Sequence, residues 1–288
     1  MQNNQENQLK KGMGIHARRV LAYIVLVIIS FFCLCWFYIL FVNATRSNSE
    51  LARGFRLLPS SNLWKNWTNL VNGTIPILYG LGNSLLVSTL SAVLCTYFSS
   101  MTAYAIHAYD FKMKKFMFTF ILMIMMIPTQ VTALGFVQLV DTLNLRDSFI
   151  PLIVPTIAAP VTFFYMKQYM ESALPLAIVE SARIDGAGEF RTFNTIVMPM
   201  MKPAIAVQAI FTFVSSWNNY FVPALILDSD KRKTLPILIA QLRSADFLKF
   251  DMGQVYMFIA CSILPVIIVY LCLAKNIVAG MTSGAVKG

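Results

Sequence analysis

The chain alternates long uncharged runs with short polar connectors. Six runs carry no Asp, Glu, Lys or Arg: 20–42, 83–109, 116–140, 148–166, 203–227 and 252–274. A helix crosses the hydrocarbon core with roughly 20 apolar residues at about 1.5 Å rise per residue. The pattern therefore predicts an all-α integral membrane protein with six transmembrane helices. Run 148–166 is the shortest and holds Pro151, Pro155 and Pro160, while Pro128, Pro223 and Pro265 interrupt other runs. Such prolines are tolerated where neighbouring helices or a cavity satisfy the freed carbonyls. The first run exceeds the roughly 7–15 apolar residues of a cleaved signal peptide, so it reads as a retained helix. Lys10, Lys11, Arg18 and Arg19 precede it and hold the N-terminus in the cytoplasm.

The connectors then divide the chain. Residues 1–19 read as a loose cytoplasmic tail, 20–42 as the first span and 43–82 as an outer loop with Trp64 and Trp67 near the interface. Residues 83–274 form a core of five spans, with a long inner loop at 167–202 and an outer loop at 228–251. Residues 275–288 end the chain inside. Lys and Arg are spread almost evenly between the two sides, and Lys231, Arg232 and Lys233 fall outside. Orientation therefore rests on the N-terminal cluster and on the nature of the inner loop.

Composition agrees with a bilayer. The chain is 57% hydrophobic and 12% charged, with a mean hydropathy of +0.65, against about 25% charged in soluble domains. The net charge of +10 is scattered through short loops without interleaved aromatics, which excludes a nucleic-acid groove and fits a protein facing anionic membrane lipid. Cys33, Cys35, Cys95, Cys261 and Cys272 all lie in the runs without C-x-x-C spacing and read as buried structural thiols. His16 and His107 are isolated, so no metal site is expected. Asn43, Asn66 and Asn72 open N-x-T triplets best read as chance. No G-x-x-x-x-G-K-[ST] occurs, so the chain has no P-loop for ATP and no catalytic residues are assigned.

One connector carries the chemistry. Residues 180–199 read E-S-A-R-I-D-G-A-G-E-F-R-T-F-N-T-I-V-M-P. A short helix is expected over 174–184, with Pro175 in its first turn and Leu174, Ile178, Ala182 and Asp185 on one face. Glu180 and Arg183 are spaced i, i+3 and can pair. Gly186 and Gly188 break the helix through a positive φ, and a second helix over 189–198 leads to Pro199 and Pro203. Two short helices hinged at glycine make a knob that can pass on a rigid push. Small Ser181, Ala182 and Ala187 would let it sit deep in a cleft, with Glu180 meeting a basic partner residue. An amphipathic connector lying at the lipid surface accounts for the same pattern.

The spacing of Glu180, Ala182, Gly186, Ile196 and Pro199 resembles the EAA loop of bacterial ABC-importer permeases, E-A-A-x3-G-x9-I-x-L-P, with Ser181 in place of an Ala and Met198 in place of the Leu. Further segments are similar to MalG-type permease subunits of maltose, multiple-sugar and oligosaccharide importers. They are G-L-G-N-S-L around Asn83, A-Y-A-I-H-A-Y-D-F from Ala103, W-N-N-Y-F-V-P from Trp217, T-L-P from Thr234 and G-A-V-K-G from Gly284. Ala274 departs from a Gln common in relatives. The resemblance implies the type I ABC importer permease fold and a multi-pass protein of the bacterial inner (cytoplasmic) membrane, with both termini cytoplasmic. It also implies a non-identical second permease, a cytoplasmic ATPase dimer that alone uses ATP and Mg, and an external sugar-binding protein; the chain itself takes no cofactor. Glu180, Ser181, Ala182, Asp185, Gly186, Ala187, Ile196 and Pro199 would then form the ATPase-docking loop. In relatives the outer loop before the last span reaches toward the binding protein and the tail contacts the ATPase; here these are 228–251 and 280–288.

The uncharged spans favour a neutral cargo, because ion-coupled carriers commonly place charged groups at membrane depth. Gln208, Ser215, Asn218 and Asn219 offer amide and hydroxyl groups to a sugar, and Trp217 and Tyr220 offer ring faces. Gln130, Gln138 and Ser216 are further polar positions. Interhelical hydrogen bonding, at about 0.6 kcal/mol per contact, explains any one of them equally well. The alternatives are an ABC permease for glycerol-3-phosphate, an amino acid or phosphate, and a channel or secondary carrier acting alone, although no 3+3 repeat is visible.

Overall fold

A computed structural model describes residues 2–244 and 251–285, with side chains placed over 14–242 and 251–275. The last residues of the terminal G-A-V-K-G motif, part of the 228–251 loop and the Lys10 and Lys11 side chains lie outside the described residues. All described elements are helices. They group into two compact units, Met1–Asn72 with Lys249–Ala260, and Gly73–Leu248 with Cys261–Gly288.

In the first unit, α1 (Gln2–Ala44) runs unbroken, so the expected loose tail is helical from Gln2. Its residues before the apolar run are mostly good helix formers, and no proline intervenes. The apolar stretch Gly14–Ala44 has none of its most hydrophobic window buried within the chain, as a span contacting lipid requires. A small cap follows. Helix α2 (Asn48–Ala52) opens with a capping box in which the Ser47 amide donates to Glu50 at 2.8 Å. Ser60 and Asn62 donate to the same carboxylate, and the Ser47 amide foremost, then the Ser60 hydroxyl, hold Glu50 down at about 2. Helix α3 (Leu63–Val71) buries Asn66, whose amide donates to the Ala44 and Arg46 carbonyls at 2.8 and 2.9 Å. An N-x-T triplet here serves packing.

In the second unit, α4 (Ile77–Ala108) is the axis. Ser84, Ser88, Ser91, Ala92, Cys95, Ser99, Ser100 and Ala103 are buried on it. Small side chains let neighbouring backbones approach closely where burial of apolar area supplies no net drive. Helices α8 (Pro160–Ala173) and α12 (Lys202–Trp217) pack there, and the Cys95 sulfur meets the Thr162 and Thr212 hydroxyls at 3.4 and 3.5 Å. Cys95 is thus a buried structural thiol, whereas Cys33 and Cys272 are exposed and depart from that expectation.

Among the described residues four helices are long and apolar enough to cross, and the count reaches six if each of two bent pairs is one span. The second span starts at Ile77 rather than 83, after Pro76. The third is broken: α5 (Lys114–Ile124) and α6 (Thr129–Thr142) meet at 97°. Pro128, extended at ψ 132°, lacks the donor a continuous helix needs and pushes the preceding residue out of helical geometry. The fourth begins with α7 (Ile150–Ile153), passes through a 3-10 turn at Val154–Ile157 and runs on in α8 to Ala173, seven residues beyond the expected end. Lys167 and Glu171 on that extension pair with each other. The fifth is α12 followed, after residues 218–220, by α13 (Phe221–Ile226). Helices α14 (Leu235–Ser244) and α15 (Met252–Ala285) complete the chain, and Pro265 lies inside α15 without ending it.

The basic connector after α13 is tied down. The Asn83 amide donates to the Lys231 and Lys233 carbonyls at 2.9 and 3.0 Å, and the Leu235 amide donates to Ser84. Asp147, at φ +54°, accepts from the Asp228 and Ser229 amides, and Arg232 donates to its carbonyl. Lys233 pairs with Asp230. Two of the three basic side chains therefore neutralise local carboxylates.

Candidate coupling site

The polar connector folds as a hairpin of helices on the end of α4. Leu174 is buried and its carbonyl meets His107 Nε2 at 3.0 Å. Pro175 caps α9 (Leu176–Ile184) from outside rather than sitting in its first turn, since its ψ of 133° is extended. The buried face of α9 runs through Val179 and Ala182, not Ile178 and Asp185, which are exposed. Ala182 therefore anchors the hairpin inward instead of facing a partner. The exposed Ser181 hydroxyl bonds back to the Ala177 carbonyl at 2.8 Å.

Helix α9 ends in a Schellman turn. The Gly186 amide donates to the Arg183 carbonyl at 3.0 Å and the Ala187 amide to the Ala182 carbonyl at 2.9 Å. This requires the left-handed φ of +76° at Gly186. Gly188 has φ −66° and acts as the N-cap of the next helix, so only one glycine needs positive φ. That helix comprises α10 (Glu189–Thr192), a π turn over Phe193–Val197 and α11 (Met198–Met200). Pro199 explains the widened turn, because its ring would clash with the carbonyl four residues back. Ile196 lies in the π turn, and at Met201 the chain bends 81° into α12.

One clamp closes the hairpin. Arg183 does not pair with Glu180; its Nε donates to Glu189 at 2.8 Å. The reversal at Gly186 brings Glu189 beneath Arg183, whereas Glu180 points away. Tyr104 of α4 donates to Glu189 at 3.1 Å, and the Arg183 guanidinium lies 5.0 Å from the centre of the Tyr109 ring. Hydrogen bonds from Tyr109 and then Arg183 hold the Glu189 carboxyl below the usual range. Tyr97 donates to Asn194 at 3.2 Å further along. Beneath the clamp, Tyr104, Phe193, Val197, Met166, Met170 and Met201 share one buried cluster, so the hairpin is rooted in the ends of three helices.

The outer face is different. Glu180 is exposed and bonds to nothing among the described residues. Ile184 is 87% exposed and Phe190 72%, and a largely apolar cleft of about 540 Å³ opens beside Phe190, Tyr104 and Phe111. A rigid base with a free carboxylate and bare apolar side chains has what meeting a partner surface requires. Replacing Glu189 by Ala removes the acceptor for Arg183 and Tyr104. Amide exchange at Gly186, Ala187 and Thr192 should then quicken roughly fivefold, as losing about 1 kcal/mol from a half-exposed pair implies. Glu180→Ala should leave those rates unchanged; equal effects of the two changes would contradict the clamp.

The membrane-depth candidates are scattered by the structure. Gln208 is buried and faces a cleft of about 360 Å³ shared with Gln168, Tyr165 and Tyr169. Ser215, Asn218 and Tyr220 are exposed. Asn219 lies just before α13 and accepts from the Val222 amide at 3.4 Å. Trp217 is 4% exposed and stacks on Phe213 at 5.6 Å, so it is enclosed by the fold and presents no free face to a ring. Tyr104, Tyr109, His107 and Glu189 were not among the sequence candidates. Tyr104, His107 and Tyr109 were signalled only by the Ala103–Phe111 motif, which gave them no partner, and Glu189 only by its place in the 180–199 connector.

Over 87% of its length the chain is 37% identical to the arabinooligosaccharides transport system permease protein AraQ of Bacillus subtilis, covering 89% of that protein. It is 32% identical over 72% of its length to the melibiose/raffinose/stachyose import permease protein MelC of the same organism, covering 75% of it. It is also 28% identical over 91% to the sn-glycerol-3-phosphate transport system permease protein UgpE of Yersinia pestis, covering 95% of that protein. In fold it matches a chain in the crystal structure of a bacterial ABC transporter involved in the import of the acidic polysaccharide alginate. The TM-score is 0.77 at 20% identity, covering 89% of this chain and 96% of that one. Residues 96–283, which contain the whole hairpin, match the family model for binding-protein-dependent transport system inner membrane components. The chain belongs to that family and is a membrane permease subunit of an ABC importer.

Proposed function

We propose that the chain is one half of the membrane channel of a bacterial sugar importer, paired with a non-identical permease subunit. It carries a neutral oligosaccharide inward from an external binding protein, using ATP hydrolysed on a cytoplasmic ATPase dimer. The observation that carries this reading is the hairpin: a clamped base, a fixed turn at Gly186, and a free Glu180 beside exposed Ile184 and Phe190. In this reading Asp185, Gly186 and Ala187 form the tip that enters the ATPase, and Glu180 pairs there with a basic residue. Ile196 and Pro199 pass the push through the 81° bend into α12. In this reading the hairpin lies on the cytoplasmic side, and six spans put both chain termini there with it.

Cargo class rests on the polar but uncharged membrane lining. No Asp, Glu, Lys or Arg occurs in 83–109 or 203–227, and the Gln168–Gln208 cleft offers amides and tyrosine hydroxyls, which suit sugar hydroxyls. Gln208, Ser215, Asn218 and Tyr220 remain the candidate contacts from this half. The similarity to UgpE, which covers 91% of the chain, favours glycerol-3-phosphate as the second reading. In mild detergent the chain should co-purify with a P-loop ATPase, and Glu180→Arg should weaken that capture; no ATPase in the eluate would refute the importer assignment. Reconstituted with its partners, it should take up labelled neutral oligosaccharide in preference to glycerol-3-phosphate. The reverse preference would reassign the cargo and leave the docking role intact.

A further inference from the structure

The cap after α1 turns an apolar and basic tip back toward the membrane. Residues 53–59 read R-G-F-R-L-L-P. Phe55, Leu57 and Leu58 are 66%, 53% and 78% exposed, and the exposed Arg53 and Arg56 side chains make no ion pair or hydrogen bond among the described residues. Three bare large apolar side chains on a loop are costly in water. Their depth follows from one bond. Tyr38 lies four residues before the end of the 20–42 run, about 6 Å along the helix axis, and its hydroxyl donates to the Leu57 carbonyl at 2.7 Å. The loop therefore reaches back alongside α1, past the last residues of the apolar run. Exposed Trp36 and Tyr38 on the same stretch of α1 fit the interfacial layer that such rings prefer.

We infer that residues 53–59 form an interfacial anchor that inserts Phe55, Leu57 and Leu58 among lipid chains and binds an anionic phospholipid headgroup through Arg53 and Arg56. The two arginines, with the buried Arg46, line an open cleft of about 770 Å³, large enough for a phosphodiester headgroup. The buried Arg46 guanidinium is engaged by the Glu50 and Gly54 carbonyls at 2.6 and 3.0 Å and holds the loop in shape. Glu50 also borders the cleft, but its oxygens are turned into the Ser47, Ser60 and Asn62 donors. Arg53 and Arg56 are therefore the groups left to meet a phosphate. Attraction of basic residues to an anionic surface explains why they flank apolar ones here. The inference goes beyond the transport reading and needs only that α1 spans the bilayer.

The full assembled transporter in nanodiscs tests it, with a diazirine leucine analogue at position 58 and lipid with or without phosphatidylglycerol. Illumination should yield lipid adducts at that position. Native mass spectra should show retained phosphatidylglycerol that falls about fivefold for each arginine removed in Arg53→Gln and Arg56→Gln. Adducts only with water, adducts only with added binding protein, or unchanged phosphatidylglycerol retention in the double variant would each overturn the anchor.

Discussion

Gly186→Val should abolish uptake while the protein still inserts in the membrane at normal levels. A β-carbon at Gly186 meets nothing within 4 Å, so no clash inside the chain is involved. The penalty comes from the backbone, because φ is +76° there and a β-branched residue at positive φ is a strong outlier. The local cost of about 1–2 kcal/mol is too small to unfold a chain of this size. It is enough to open the Schellman turn, which is held by two amide bonds. With the turn open, α9 no longer leaves Gly186 at a fixed angle to α10, and a push on the tip is absorbed locally. Gly186→Asn is the control, since asparagine tolerates the left-handed region and should retain much of the uptake. Wild-type uptake by the valine variant, measured with labelled sugar in vesicles, would sink the rigid-turn argument.

The largest effect on folding should come from Gly253→Ala. A β-carbon there would lie 2.5 Å from the Arg46 carbonyl oxygen and 2.8 and 2.9 Å from the Asn66 amide atoms. Neither neighbour is free to move. The first is backbone, and the second is a buried side chain bonded to the Ala44 and Arg46 carbonyls. Overpacking of this kind costs about 1–3 kcal/mol, and each Asn66 bond lost adds about 1 kcal/mol. The variant should melt several degrees lower in detergent, and the 45–72 segment should become sensitive to protease at lower temperature. Asn66→Ala alone should destabilise through its orphaned carbonyls. Combined with Gly253→Ala it should cost less than the sum, because the two changes share one space. An unchanged melting temperature for Gly253→Ala would mean that this packing does not exist in the membrane.

Much of the candidate coupling site can be read in the linear chain. A glycine ending an amphipathic stretch predicts a left-handed cap, and Gly186 adopts it. The pairing of Arg183 cannot be read that way. Helical spacing offers Glu180 at i−3, yet the turn brings in Glu189 from six residues ahead, and the Tyr104 hydroxyl reaches it from 85 residues earlier. The same limit applies to Trp217. Its motif marks it as a stacking residue, but whether a ring faces a path or Phe213 depends on which side of α12 meets the rest of the fold.

The hydrophobic pattern was sufficient to establish a membrane-spanning, all-helical chain with one polar connector on which chemistry concentrates. Bilayer thickness and helical rise are local rules, and they act on each run separately. Pro128 likewise marked where a helix breaks, although Pro265 sits inside α15 without ending it. The angles of those breaks, 97° after α5 and 81° before α12, required the packed structure, because a proline removes a donor without choosing a direction. Tertiary packing also decided that Glu189 rather than Glu180 holds the hairpin, leaving Glu180 free. The reason is physical: a long-range hydrogen bond depends on where two chain segments come to rest, and no periodicity along either segment encodes that.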